Sequence, residues 1–511
     1  MPTNIAFVGA GIAASYTLSN FLNNLKKQNA SDCIDIFVID KHHDFFKGIP
    51  YGERSSNAVL LINDLKSFIP EPQRADFVQW LNKNYEKLVE KFINAGGHHA
   101  KEWVAKYESD YSSGNWNDLF VPRFFFGDYI QQKLDLEIAE AETNGIAKIH
   151  RIQNEVSDIT KSNSEFILTM INGDTIKADK TVLAVGSLNN KALPVKRNRN
   201  ASDGNLVYID DLYKPSIGDN IGKAQNVINS RSEKGLNTNV LILGANASGL
   251  ESIYRLHDVS DVNKKNCEFF VLSTHGVMPD EKKLNLELNN FDTEHIKALS
   301  GQKSLTAIEL AEAVNKDLDV AESLDIGAGS TVELVSREFG KLLPKLSKEE
   351  LVNFACEHGN QIGRRQRCAG EHYLSVIDIL KTEKRFGHIK GRFQQLEQNR
   401  DGFKLHYTTS SNDESLERDG FHIVLNCLGA TNLTKDDKPE FITKIIEKGL
   451  VSPNKSKIGL SVNENMEASE GFYVAGPLLA GNFIEDRALW HLEHCGRIIW
   501  SSVKLAEKII A

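Results

Sequence analysis

Two stretches put glycine where an apolar strand gives way to a helix: NIAFVGAGIAASY (4–16) and NVLILGANASGLE (239–251). The chemistry open to such a turn is phosphate binding. A helix N-terminus presents unpaired N–H groups and the positive end of its dipole. In the first stretch, Gly9-Ala10-Gly11-Ile12-Ala13-Ala14 fits the pattern GxGxxG/A. Gly9 permits the tight turn, Gly11 lets the backbone approach a pyrophosphate, and Ala14 lets the helix lie close to the strand. The next apolar run, IDIFVID, ends in Asp40, an acid that can accept hydrogen bonds from a ribose diol. Its distance from the turn exceeds the ~20 residues of the minimal unit, and the polar stretch KKQNASDC absorbs the excess.

The second turn keeps Gly244 for the bend and Gly249 for close helix packing, but its middle position is Asn246. A Cβ there takes space a pyrophosphate needs. Asparagine tolerates left-handed backbone, so the turn itself is expected to survive. The following strand, CEFFVLSTHGVMP, ends at Thr274 and His275. Neither is a permanent bidentate cation for a 2′-phosphate, and no acid stands there to select the unphosphorylated ribose. Three readings stay open: weak or transient nicotinamide-cofactor binding, substitution by another cation such as Arg364, Arg365 or Arg367, or a vestigial site.

These turns need strands and helices to hold them, and 511 residues are enough for two domains. No run approaches the ~20 apolar residues of a membrane helix. No charged-then-apolar leader precedes the strand at Ile5, so no secretory signal is expected. A net charge of −9 argues against nucleic acid and anionic membranes as partners. The six cysteines, Cys33, Cys267, Cys356, Cys368, Cys427 and Cys495, form no closely spaced pair. That argues against a disulfide framework, a zinc site and a redox-active dithiol, and for reduced thiols in the cytoplasm. His98-His99 falls in a glycine-rich stretch, and His491 and His494 share a helix face without an evident third ligand. No metal site is expected.

Further segments carry a family resemblance. LAVGS, LNCLG and VAGPLLAGN are apolar strands closing on Gly186, Gly429 and Gly476-Pro477, where backbone can pass close to a ligand. With GIPYG (48–52), LLIN (60–63), FVQWL (77–81) and FVPRFFFGDYI (120–130), they form an ordered set. The set resembles the bacterial FAD/NAD(P)-binding oxidoreductases, two-dinucleotide-domain flavoproteins related to flavin-dependent N-hydroxylating monooxygenases. The resemblance implies FAD on the first turn, at Gly9, Gly11 and Ala14, with Asp40 on the adenosine ribose. It makes Lys41, Asn63, Gly186, Gly476, Pro477 and Asn482 further FAD-binding candidates. Gly244, Asn246, Ser248 and Gly249 become the nicotinamide-cofactor candidates, and Ser248-Gly249-x-Glu251 is similar to the run that follows this turn in the monooxygenases. No catalytic side chain is implied, because a flavin carries the hydride and oxygen steps itself.

The expected fold is α/β: a Rossmann-like FAD-binding domain, 1–200 plus 420–511, with an inserted second Rossmann-like NAD(P)-type domain, 236–420. Residues 64–120 are a helical addition, 191–236 a long connection, 406–420 a surface hairpin loop, and 486–509 a C-terminal helix. The expected function is an FAD-dependent oxidoreductase, an NAD(P)H-using monooxygenase of N-hydroxylase type acting on a small metabolite. The alternatives are an FAD oxidase or dehydrogenase that does not use NAD(P)H directly, and a non-catalytic flavin-binding subunit.

Overall fold

Continuous apolar runs suit strands covered on both faces, and here they build two parallel sheets. The structure is a computed structural model that describes residues 4–28, 33–197, 206–259, 266–281, 291–409, 414–485 and 487–510. In spatial order the first sheet is Glu467–Ser469, Phe472–Val474, Lys180–Leu183, Asn4–Val8, Ile34–Asp40 and Ala147–Gln153. All its pairings are parallel except the outer one between Glu467–Ser469 and Phe472–Val474. From Asn4–Val8 the chain goes to Ile34–Asp40 on one side and later to Lys180–Leu183 on the other. The strand order reverses between them, and that is where α/β sheets open a ligand crevice.

The second sheet repeats the plan in the order Phe386–Lys390, Cys267–Ser273, Thr238–Leu243, Ile423–Asn426 and Val207–Ile209, all parallel. Its reversal lies between Thr238–Leu243 and Ile423–Asn426. One face is covered by a four-stranded mixed sheet whose Leu396, Leu405 and Phe421 pack in one core with Phe270 and Leu272.

Several boundaries differ from expectation. The supposed connection 191–236 contains strand Val207–Ile209 and helix Ile217–Glu233, both part of the second unit's core. Ile217, Ile221, Ala224 and Ile228 face inward at helical spacing, dispersed among polar residues that hide the pattern. The boundary at 420 also moves, because FHIVLNCLG supplies a central strand of the second sheet; the first unit's core resumes at Leu433. Residues 406–420 are mostly the paired strands Phe403–Thr408 and Ser415–Phe421, and 410–413 lie outside the described residues. The helical addition is present as Gln73–Ala95 and His98–Ser112. A further helical section within 291–365 has its own core, which takes in Trp490. The last helix is Cys495–Ile510, starting later than expected, and it packs along helix Ile12–Lys27, with Ser502 Oγ donating to Ala13 O.

His422 ties two central strands of the second sheet together. Its Nδ1 accepts the Asn239 N–H at 3.0 Å, which requires a neutral ring, and burial pushes its pKa down to about 4. The unfolded chain therefore takes up this proton first. The stability that His422 contributes is complete above about pH 6.5 and is lost as pH falls toward about 4. His422→Asn keeps an acceptor that does not titrate. Urea unfolding should show wild type losing more stability than the variant between neutral pH and about 4, by on the order of 1 kcal/mol.

Candidate functional site

The first turn lies at the first sheet's reversal. Gly9 has φ +99°, and a Cβ on it would stand 2.5 Å from Ala184 O, so both backbone and space demand glycine. Gly11 caps helix Ile12–Lys27 at φ −85°, ψ −172°, extended backbone that any residue adopts. Glycine at this position serves space alone. A Cβ would meet only Gly48 Cα, at 3.7 Å. The helix has no side-chain cap and no acid in its first turn, so its leading N–H groups face this opening. Ala14 is buried against the strand. Gly476 and Pro477 open a short 3₁₀ turn that lies on the helix start, where a Cβ on Gly476 would sit 3.0 Å from Ala13 Cβ. Gly186 follows the strand end that touches Gly9, and a Cβ there would meet nothing within 4 Å. The fold thus brings Gly9, Gly11, Ala14, Gly186, Gly476 and Pro477 to one rim.

The other candidates divide. Asp40 accepts the Ala10 N–H at 2.8 Å and the His42 N–H at 2.9 Å, so it braces the turn. A carboxylate has about four acceptor sites, which leaves room for a ribose diol. Lys41 pairs on the surface with Glu155 at 3.2 Å. Asn63 stands beside Cys368, facing the second unit. Asn482 Nδ2 donates to Leu460 O and Leu479 O, and its Oδ1 accepts the Val462 N–H, so this side chain braces the backbone around it. Two further residues stand near Asp40: His42, its neighbour in sequence, and Arg54, which the sequence reading missed. His42 Nε2 is buried with no hydrogen-bond partner, and burial followed by the Arg54 charge holds its pKa below the usual value. Burial lowers the pKa of Arg54, against the opposing charges of Asp40, Asp211 and Asp44. Arg54 lies two residues after GIPYG, and only the fold brings it near Asp40. An uncapped helix start, a slot at Gly11 and an orphaned polar atom beside Asp40 together fit a dinucleotide.

The second turn is built the same way. Gly244 has φ +109°, and a Cβ on it would lie 2.4 Å from Cys427 O. Asn246 caps helix Ala247–Asp258 at φ −82°, ψ −170°, nearly the angles of Gly11. Left-handed tolerance is therefore not what this position uses. Asn246 is exposed and its side chain makes no capping hydrogen bond, so it stands in the path of an approaching ligand. Gly249 lets the helix close on the turn, since a Cβ would be 2.3 Å from Gly244 O. Ser248 and Glu251 point elsewhere. Tyr213 OH donates to Glu251 Oε2 at 2.7 Å and accepts from Ser248 Oγ at 3.2 Å, and Glu251 Oε1 pairs with Arg123 of the VPR segment. Arg123 Nε also donates to Leu60 O at 3.0 Å, and Tyr373 OH donates to that carbonyl at 2.9 Å. The Glu251 charge and the Tyr373 and Tyr213 groups hold the Arg123 pKa above its usual value despite burial. Three of the segments that carry the resemblance thus meet in one buried network between the units.

Of the arginine candidates, Arg365 is committed to Asn315, Asp319 and Glu322. Sequence reading passed over Lys390. It is exposed and in register with Ser273, and a Cβ on Gly276 would lie 2.9 Å from its Cβ. It is therefore a cation beside the strand end where Thr274 and His275 offer none.

Residues 6–188 match a family model described as FAD-NAD(P)-binding. The chain is 28% identical over 515 residues, 99% of this chain and 95% of the other, to an uncharacterized protein of Mycobacterium tuberculosis and equally to one of Mycobacterium bovis. Among solved structures, L-lysine 6-monooxygenase from Pseudomonas syringae aligns over 100% of this chain and 99% of its own, with TM-score 0.52 and 11% identity. The reduced ornithine hydroxylase of Pseudomonas aeruginosa aligns over 99% and 100%, with TM-score 0.51 and 12% identity. These likenesses establish the fold, a two-dinucleotide-domain α/β architecture. No helix among the described residues is long and apolar enough to cross a membrane.

Removing one partner of the Arg123–Glu251 pair leaves a buried charge uncompensated. Arg123→Ala is expected to cost about 3–5 kcal/mol in chemical denaturation. Arg365→Ala, which breaks exposed pairs, should cost less than about 1 kcal/mol.

Proposed function

We propose that this chain is an FAD-dependent oxidoreductase, a monooxygenase of N-hydroxylase type that is reduced by NAD(P)H and acts on a small metabolite. The observation that carries the proposal is the open first turn: an uncapped helix start behind Gly11, at the strand-order reversal, within a segment of FAD-NAD(P)-binding type. A second turn of matching backbone geometry supports a second dinucleotide. The ornithine- and lysine-hydroxylating enzymes that share the fold support the reaction type. The six free cysteines support a cytoplasmic location.

In this proposal the backbone N–H groups after Gly11 hold the FAD diphosphate, and Arg54 supplies countercharge. Asp40 and His42 hold the adenosine end, and the backbone at Gly186 and Gly476-Pro477 borders the ring. Bound flavin supplies the hydride and oxygen chemistry, and the protein orients the reactants and excludes water. Gly244, Asn246 and the start of the following helix receive the nicotinamide cofactor. Lys390 faces its 2′-phosphate, which favours NADPH over NADH.

Anaerobic mixing of the flavin-loaded protein with NADPH or NADH tests this directly. Bleaching of the flavin absorbance is expected, and it should be faster with NADPH. Flavin that neither cofactor bleaches, with or without candidate amine substrates, would leave an oxidase or a flavin-binding subunit instead. Lys390→Ala should raise the KM for NADPH about five- to tenfold, equivalent to about 1–1.4 kcal/mol, and leave the KM for NADH unchanged. Gly11→Asn fills the first slot and should weaken FAD retention by at least about tenfold. Asn246→Gly opens the second slot and should accelerate reduction.

A further inference from the structure

We propose that His98, His99 and His257 bind one zinc-like divalent metal ion at the junction of the two units. The sequence offered no such site, because His99 and His257 are 158 residues apart. The fold brings them together. His98 and His99 open helix His98–Ser112, His257 ends helix Ala247–Asp258, and the three ligand atoms lie within 4.8 Å of one another.

Geometry favours a metal over plain packing. His99 Nε2 stands 3.1 Å from His257 Nδ1. Two nitrogens on one tetrahedral zinc, each at ~2.0–2.1 Å, lie about 3.3 Å apart. His99 turns its other nitrogen, Nδ1, to Glu102 at 3.2 Å, and His98 turns Nδ1 to Asp258 at 3.3 Å. A carboxylate behind an imidazole is the usual companion of a metal ligand; for His98 and His99 it fixes the tautomer and leaves Nε2 free to ligate, while His257 offers Nδ1. Asp258 is itself held rigid. It accepts the Gly97 and His99 N–H groups, each at 2.9 Å, and pairs with Arg255 at 2.8 Å. Gly97 allows that approach, since a Cβ on it would lie 2.5 Å from Asp258 O.

His99 and His257 are 8% and 4% exposed, and such burial favours the neutral rings that metals need. His98 is half-exposed, so the fourth coordination position faces solvent and can take water. The site lies at the far end of the second turn's helix, about 16 Å along the axis from Asn246. The ion would therefore clamp the helical addition to the second unit and take no part in redox chemistry. This proposal does not depend on the function proposed above.

The test is to incubate the full-length protein with equimolar zinc, dialyse against metal-free buffer and measure retained metal. One equivalent is expected. His98→Gln, a partly exposed change, should weaken zinc affinity by about 10–100-fold while circular dichroism stays unchanged. His43→Gln, on the surface, should leave affinity intact. Less than a tenth of an equivalent in wild type overturns the proposal, as does one equivalent retained in both His98→Gln and His257→Gln. Zinc-edge X-ray absorption on the wild type covers the case in which a variant misfolds. Three imidazole nitrogens are expected, and a shell without imidazole would overturn the site.

Discussion

The arrangement of the molecule depends on one buried charge pair. Arg123 belongs to the first unit and Glu251 to the helix that leaves the second turn, and neither has water to fall back on. A buried ion pair repays its desolvation only when the remaining donors and acceptors are also satisfied. Here Leu60 O takes the Arg123 Nε–H, and Tyr213 donates to Glu251. Because every partner has a fixed direction, the network constrains how the second turn faces the first. Directional polar contacts can set such a relation more narrowly than apolar packing, which tolerates sliding.

The two turns separate two jobs that the glycine pattern merges. Gly9 and Gly244 stand against carbonyl oxygens of the neighbouring strand, Ala184 and Cys427, with positive φ. No side chain fits there, whatever the site binds. Gly11 and Asn246 share an ordinary extended backbone, so their difference concerns only the room left in front of the helix. The second domain keeps the folding requirement and relaxes the binding one. At the next strand end the exposed cation is Lys390, which belongs to the adjacent strand.

Local patterns were legible where one segment carried its own signal. The helix expected behind the first glycine turn runs Ile12–Lys27, and FVQWL of the helical addition lies within Gln73–Ala95. What stayed hidden was composition-masked or long-range. Helix Ile217–Glu233 looks like polar connection because its inward face is narrow. The strand in FHIVLNCLG has the same apolar character as the one in TVLAVGS, and nothing local says which sheet it joins. Asn482 resembles a ligand contact in its motif, yet its side chain bonds backbone at Leu460 and Val462, about twenty residues away, as well as at nearby Leu479.

By itself the sequence determined that two strand–turn–helix units exist, where each begins to bend, and that the middle positions of the two turns differ. Those features follow from φ preferences, side-chain size and apolar periodicity, all properties of neighbours in the chain. Tertiary structure alone decided that Arg123 meets Glu251, that Lys390 stands beside Gly276, and that His257 meets His98 and His99. Each of these joins residues more than a hundred positions apart. Their proximity is set by how sheets order their strands and how helices dock, which no local spacing encodes.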